Sequence, residues 1–147
     1  MTADHLLARE AIRDTVARYN LAGDRGRLEE LAACFCEDGV LEIRGDWEAR
    51  GREAILERLV PVRENTGAWA EGATMRHHLT THRAEIRSAT EADAWTYFLV
   101  VTDRGLDHSG RYVDRLRKVG GEWLLSHRSV LVDWRSGTGR FALPSAS

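Results

Sequence analysis

The residues best suited to chemistry lie in one polar segment, Met75 to His82, which contains three histidines. Side chains alternate between the two faces of a strand. A strand here therefore has one face made of Arg76, His78, Thr80 and His82, and an opposite face made of His77, Leu79, Thr81 and Arg83. A neutral imidazole is a general base that needs little tuning near pH 7. Because the first face is too polar for a plain core, the segment indicates a cavity.

The spacing of these histidines argues against a metal site. His78 and His82 are four residues apart, which suits one zinc ion on a helix. On a strand the same spacing spans about 13 Å, too far for one ion. His77 and His78 point to opposite faces. We therefore expect no protein-bound metal and no cofactor.

Other catalytic signatures are missing from the sequence. It contains no G-x-S-x-G, G-x-G-x-x-G or Walker motif. Cys34 and Cys36 are too close for an unstrained disulfide and have no obvious histidine partner. We expect both to be reduced packing residues, and general acid–base chemistry by His, Asp and Tyr remains.

Two residues near the end of the first predicted helix are suited to assist a histidine base. Asp24 follows Gly23, where its carboxylate can orient an imidazole, although an N-cap of the next helix is an equally ordinary role for it. Tyr19 lies one turn earlier and is either a pocket residue or part of the helix core. A strand histidine, likewise, is either a base or a structural residue.

The elements that must position these residues follow from the apolar periodicity. Apolar residues at spacings of three and four predict a helix over 4–22, with Asp4 as its N-cap. Further helices are predicted over 25–35 and 52–59, the latter stopping before Pro61. A hairpin around Gly45 and Asp46 joins residues 40–43 and 47–50, and residues 62–73 are predicted to form a loop.

Four strands are predicted in the second half, over 75–88, 92–102, 110–118 and 123–134. Turns are expected at residues 107–109 and 119–122. Helices followed by antiparallel strands are typical of the α+β class. We predict a single domain over 1–147, with its core at 4–135 and a loose tail at 136–147. Its curved sheet wraps around three helices and leaves an internal pocket.

Composition and charge limit the partners. The chain has 147 residues, 43% of them hydrophobic, and its 21 cationic and 23 acidic residues are interspersed, with a formal net charge of −2. A nucleic-acid-binding protein would show a basic face, and no apolar run is long enough to span a membrane. The first residues are charged and contain no apolar run like that of a secretory signal, so we expect none. We therefore expect a cytoplasmic protein that binds neither nucleic acid nor membranes.

Several short segments carry a resemblance to a known family. They are Ala11–Asp14, Tyr19–Asp24, Phe35–Val40, Gly51–Ile55, His78–His82, Gly110–Asp114, Trp123–Arg128 and Val132–Trp134. In this order and spacing, over about residues 4–135, the chain resembles the SnoaL-like family of the nuclear transport factor 2-like superfamily, in its dehydratase and dehydrochlorinase-type branch. The resemblance implies a cone-shaped α+β fold in which a curved, mostly antiparallel sheet encloses a deep pocket.

The resemblance also implies roles for individual residues. His78 matches the position of the catalytic histidine and Asp24 that of the aspartate that orients it, with Tyr19 as a further catalytic residue. Substrate contacts are expected from Arg76, Arg128, His82 and Trp95. For Arg128 the alternative is an ion pair with Asp114 on the neighbouring strand.

Three classes of function are compatible with these residues. The first is a cofactor-free lyase of the dehydratase type, or an isomerase, that acts on a small cyclic or aromatic molecule by His–Asp general base catalysis. A polyketide-type cyclase uses the same base. The second is a non-catalytic small-molecule-binding or assembly module, since fold does not fix function. The third is the small subunit of a ring-hydroxylating oxygenase, which needs an iron-bearing partner. We expect a homodimer or homotrimer.

Overall fold

The computed structural model describes residues 1–141, and within them the chain forms three helices and six strands. In chain order they are α1 (Ala3–Asp24), α2 (Leu28–Ala32), β1 (Phe35–Ile43), β2 (Trp47–Arg50), α3 (Arg52–Asn65), β3 (Met75–Ile86), β4 (Glu91–Thr102), β5 (Gly105–Val119) and β6 (Glu122–Arg135). No helix in this part of the chain is both long and apolar enough to cross a membrane.

The six strands form one curved, unclosed sheet in the order β2-β1-β6-β5-β4-β3. Every neighbouring pair is antiparallel except β1 and β6, which run parallel. Helix α1 packs against β3 and β6, and α3 packs against β1 and β2. The predicted α+β cone with helices against a mostly antiparallel sheet is confirmed, as is the hairpin in which Ile43 pairs with Trp47.

Helix α1 supplies the long apolar face that the sheet covers. Its N-cap is Thr2, whose hydroxyl accepts a hydrogen bond from the backbone N–H of His5 at 3.2 Å. The predicted cap, Asp4, lies in the first turn instead, where a carboxylate favours the positive end of the helix dipole. Ile12, Val16 and Tyr19 are buried. The last residue of α1 is Asp24, so the helix delivers this carboxylate to the inner face of the sheet.

Helix α3 continues past the predicted stop. Pro61 lies inside this helix, which runs to Asn65. A proline removes one backbone hydrogen bond, and Pro61 is exposed on the helix surface. Water can therefore hydrate the carbonyl that loses its partner. Helix α2, by contrast, is shorter than predicted, because the chain enters β1 at Phe35.

Strand β5 begins earlier than predicted, at Gly105. The chain reverses at Asp103 and Arg104, and Gly105 adopts a φ of 100°, which favours glycine. The turn predicted at residues 107–109 is therefore wrong. Asp107 and His108 belong to the sheet and are both buried.

A β-bulge in β3 changes which side chains face inward. Leu79 pairs with Phe98 and His82 pairs with Thr96, so two residues of β3 oppose one of β4. One extra residue reverses the alternation of faces. Met75, His77 and Leu79 therefore point inward before the bulge, and His82 points inward after it. The predicted shared face of Arg76, His78, Thr80 and His82 is wrong for this reason.

Candidate active site

An internal cavity of about 230 Å³ lies between the helices and the inner face of the sheet. Its walls are mostly aromatic and aliphatic, with a few polar side chains. The lining residues are Tyr19, Asn20, Gly23, Leu28, Leu31, Ile43, Asp46, Trp47, Leu59, Val62, Trp69, His77, Phe98, His108, Tyr112, Val130, Val132, Arg135 and Phe141. Apolar walls with few convergent polar groups are typical of small-molecule sites.

A histidine–aspartate pair stands at one wall of this cavity. Asp24 Oδ1 lies 2.7 Å from His77 Nδ1. The backbone N–H of His77 also donates to Asp24, at 3.2 Å to Oδ1 and 3.1 Å to Oδ2. Because a carboxylate only accepts, this contact selects the tautomer of a neutral His77 ring in which Nδ1 carries the proton and Nε2 the lone pair. The Asp24 side chain is 7% exposed and that of His77 20%, so the pair is largely shielded from water.

His78 does not form the predicted contact with Asp24. It lies on the outer face of β3 and is exposed, as is Arg76. Adjacent strand residues point in opposite directions, and His77 shares the inner face with Met75, which is 2% exposed. The predicted Asp24–His78 hydrogen bond is therefore wrong by one residue, and Asp24 pairs with His77 instead.

Tyr19 lines the cavity as expected, and Arg128 lies behind it. The Arg128 guanidinium carbon is 4.2 Å from the centroid of the Tyr19 ring and 3.9 Å from that of Tyr112. Two hydrogen bonds of 2.8 Å join Arg128 to Asp114. The alternative role of Arg128, an ion pair with Asp114, is thus the one formed. Burial raises the pKa of Tyr19, so its hydroxyl remains a proton-bearing donor at neutral pH.

The remaining predicted substrate contacts lie away from the cavity. His82 points inward, but its Nδ1 pairs with Thr96 Oγ1 at 2.8 Å, and burial lowers its pKa. Trp95 is half-buried on the outer face, between the inward-facing Ala94 and Thr96. None of the four predicted binding residues lines the cavity; they are Arg76, His82, Trp95 and Arg128.

The structure contains a second histidine–aspartate pair, Asp107 and His108, that was not recognised in the sequence. Asp107 Oδ1 lies 2.7 Å from His108 Nδ1. The His108 ring is perpendicular to that of His77, with 6.4 Å between centroids. Burial lowers the pKa of His108, although Asp107 opposes this shift. Both imidazoles therefore offer their Nε2 atoms to one cavity when neutral. The sequence signal that could have revealed this pair is an Asp directly followed by a His, but these residues were predicted to form a turn.

Aromatic side chains from two segments outside the sheet form one part of the cavity wall. Trp69, in the loop after α3, donates from Nε1 to the Gly23 carbonyl at 3.0 Å. The Phe141 ring packs edge-on against Trp69 and His108, at centroid distances of 6.0 and 5.3 Å. Phe141 belongs to the predicted tail, of which residues 142–147 lie outside the described residues. Over residues 1–141, no group of three His, Cys, Asp or Glu side chains is arranged to hold a metal ion.

Comparisons with known proteins agree with this architecture. The model of the SnoaL-like domain matches residues 4–129. A candidate scytalone dehydratase from Novosphingobium aromaticivorans is 26% identical over 92% of this chain and 91% of its own, with a TM-score of 0.80. A protein of unknown function from Mycobacterium tuberculosis is 29% identical over 93% of this chain and 78% of its own, with a TM-score of 0.73.

A third solved structure, that of LinA, shares the fold at 22% identity, covering 96% of this chain and 97% of its own with a TM-score of 0.78. The comparison with curated proteins gives no match. The match to the family model spans α1 through most of β6, and so includes Asp24, His77 and the strands that form the cavity. The chain therefore belongs to the SnoaL-like family, a small-molecule-binding family, and it shares the fold of a solved nuclear transport factor 2-like protein.

Proposed function

We propose that this protein is a cofactor-free lyase of the dehydratase type, or an isomerase, that acts on a small cyclic or aromatic molecule. The observation that carries the proposal is the 2.7 Å contact between Asp24 Oδ1 and His77 Nδ1 at the wall of an apolar cavity. His77 takes the role of general base that the sequence analysis gave to His78.

In the proposed reaction, His77 Nε2 removes a proton from a carbon next to a carbonyl group of the substrate. Asp24 keeps the proton of the resting ring on Nδ1 and stabilises the imidazolium that forms. In an elimination, the enolate then expels the hydroxyl group from the next carbon, and the His77 imidazolium returns its proton to that group, which leaves as water; in an isomerisation the same proton returns to another carbon of the substrate. Such orienting carboxylates contribute on the order of 10²–10⁴ in rate. The pair lies largely out of water, which strengthens this stabilisation.

Tyr19 is the proposed donor to the oxygen that gains charge as the proton leaves. A preorganised donor at such an oxygen is often a large part of catalysis. Arg128 acts through Tyr19 as a positioning residue, because its guanidinium stacks on the Tyr19 ring without lining the cavity. A neutral His108 accepts a hydrogen bond from a substrate hydroxyl and so holds the substrate between the two imidazoles.

The aromatic side chains that line the cavity support an aromatic or cyclic substrate. Phe98, Tyr112, Trp69 and Phe141 present ring faces or edges to the cavity. A volume of about 230 Å³ admits one or two fused rings rather than a large ligand. The 26% identical relative is a candidate scytalone dehydratase, which favours elimination of water over isomerisation.

The test uses 3-hydroxy-1-tetralone, a bicyclic β-hydroxyketone whose dehydration yields 1-naphthol. The protein is incubated with it in D₂O, 1-naphthol is followed by fluorescence, and deuterium at the carbon between carbonyl and carbinol is followed by NMR. The adjacent histidines provide a matched pair. His77→Gln should lower the rate about 10²–10⁴-fold, and Asp24→Asn should do likewise, whereas His78→Gln, on the outer face, should leave it unchanged.

Two results would contradict the proposal. One is a His77→Gln protein that works at the wild-type rate. The other is a wild-type protein that binds this probe and related cyclic hydroxyketones but catalyses neither elimination nor deuterium exchange. The second result would identify a small-molecule-binding module.

A further inference from the structure

The chain that follows β6 returns to the cavity and meets Asp107. This carboxylate is 2% exposed, and its two oxygens serve different partners. Oδ1 accepts from His108 Nδ1 at 2.7 Å. Oδ2 accepts from the backbone N–H groups of Arg140 and Phe141 at 2.5 and 3.3 Å. One buried carboxylate therefore joins a cavity histidine to residues 139–141, here called the strap.

Three further contacts fasten the strap. Arg135 Nη1 donates to the Phe141 carbonyl at 3.1 Å. The Arg140 guanidinium forms two hydrogen bonds of 2.8 Å with Asp103. Gly139 lies directly on Asp107, since a Cβ at this position would overlap Oδ2. With the strap so placed, the Phe141 ring packs edge-on against the imidazole of His108, with 5.3 Å between centroids, and both side chains line the cavity.

We propose that the strap completes the second histidine site: its backbone amides share the Asp107 carboxylate with His108, and Phe141 closes the cavity over that ring. Asp107 and Gly139 are then positioning residues, which act on substrate only through His108 and Phe141. The catalytic importance of His108 rests on the function proposed above. The coupling between strap and imidazole does not rest on it.

The strap and the His108 ring are coupled because a positive charge on this imidazole is unfavourable while the strap keeps it out of water. Burial lowers the pKa of His108, and Asp107 opposes the effect. The other charged or titratable groups that act on this ring are His77 from β3 and Arg135 from β6, and both disfavour a second positive charge. Release of the strap lets water reach the ring and frees the Asp107 carboxylate from two amide donors. Both changes raise the pKa of His108. By linkage, protonation of His108 must loosen the strap to the same extent.

Two glycines allow a matched experiment on the full chain. Gly139→Ala places a methyl group on Asp107 Oδ2, whereas Gly137→Ala, two residues earlier, meets nothing within 4 Å. Imidazole ¹⁵N–¹H NMR spectra recorded across a pH titration give the tautomer and pKa of each histidine. Hydrogen exchange of the Arg140 and Phe141 amides reports whether the strap is docked.

Gly139→Ala should expose these two amides and raise the pKa of His108 by about one unit. The Gly137→Ala control should match the wild type, and the pKa of His77 should stay unchanged in both. The Asp107→Asn variant tests the same coupling by changing the shared carboxylate instead of the strap. Its amide offers a single acceptor oxygen, so either the Nδ1–H tautomer of His108 or the protection of the strap amides should be lost.

The wild-type protein supplies an independent check, because the opening free energy of the strap amides, obtained from their exchange rates after correction for intrinsic base catalysis, should fall as pH falls through the titration of His108. The coupling is overturned if these amides exchange at a constant opening free energy across that titration. It is equally overturned if Asp107→Asn keeps both the tautomer and the amide protection. Neither measurement requires turnover, so a failure of the proposed lyase activity would be seen separately.

Discussion

Arg128 and Asp114 form a buried ion pair behind Tyr19. Removal of one of these charges should lower the free energy of unfolding more than most substitutions that leave the cavity lining untouched. The side chains of Arg128 and Asp114 are both 0% exposed and are joined by two hydrogen bonds of 2.8 Å. The guanidinium also lies between two tyrosine rings, at 4.2 and 3.9 Å from their centroids. Asp114→Asn keeps the size of the side chain but removes the charge that compensates Arg128.

The expected magnitude follows from the complete burial of the pair. Removal of one partner of such a pair costs about 3–5 kcal/mol, because the other charge remains buried. A domain of this size has a free energy of unfolding of about 5–15 kcal/mol, so the variant should stay folded with much less stability. Replacement of both charges, as in Arg128→Met with Asp114→Asn, should cost clearly less than the sum of the single changes, by up to about 3 kcal/mol.

The assay is urea denaturation followed by far-ultraviolet circular dichroism, analysed as a double-mutant cycle. An exposed pair on the outer face of the same two strands gives the control. Arg111 and Asp133 are joined at 2.6 Å with side chains 43% and 52% exposed, and Asp133→Asn should cost less than about 1 kcal/mol. The reasoning fails if Asp114→Asn costs no more than this control, or if the single costs simply add.

Two further predictions concern α3 and the strap. Pro61→Ala should raise the free energy of unfolding by about 1 kcal/mol, since an exposed interior helix position regains its backbone N–H; urea denaturation would show no gain if another contact requires the proline ring. The Arg140 guanidinium holds the pKa of Asp103 below its usual range. The ion pair between Asp103 and Arg140 therefore contributes fully to strap docking above the pKa of Asp103 in the unfolded chain, about 4. This contribution is lost as pH falls towards the lower pKa of Asp103 in the folded protein. The protection of the Arg140 amide, measured relative to its intrinsic exchange rate at each pH, should fall below pH 4 in the wild type and lose this acid step in Asp103→Asn.

Much of the architecture could be predicted because its signals are local. The apolar stripe of α1, the Gly45 and Asp46 hairpin and the order of helices before strands each depend on neighbouring residues. The family resemblance agreed with the curved sheet and cavity predicted from the residues and implied that the fold is cone-shaped. Asp24 was placed correctly at the inner end of α1, as was Tyr19 at the cavity wall.

The identity of the paired histidine could not be predicted in the same way. His77 and His78 are adjacent, and alternation assigns them to opposite faces without stating which face is inner. The bulge between Leu79 and His82 then removes the regularity that grouped His78 with His82. That bulge depends on how β3 pairs with β4, a contact between residues far apart in the chain.

The second pair, Asp107 and His108, shows the same limit. Asp, His and Ser in succession are typical of a turn, yet the pairing of β4 with β5 moves the reversal to Asp103 and Arg104. The sequence by itself thus determined the residue types, the order of the elements and a curved sheet around the helices. Strand register decided which imidazoles face the cavity, because a shift of one residue turns every later side chain to the other face of the sheet.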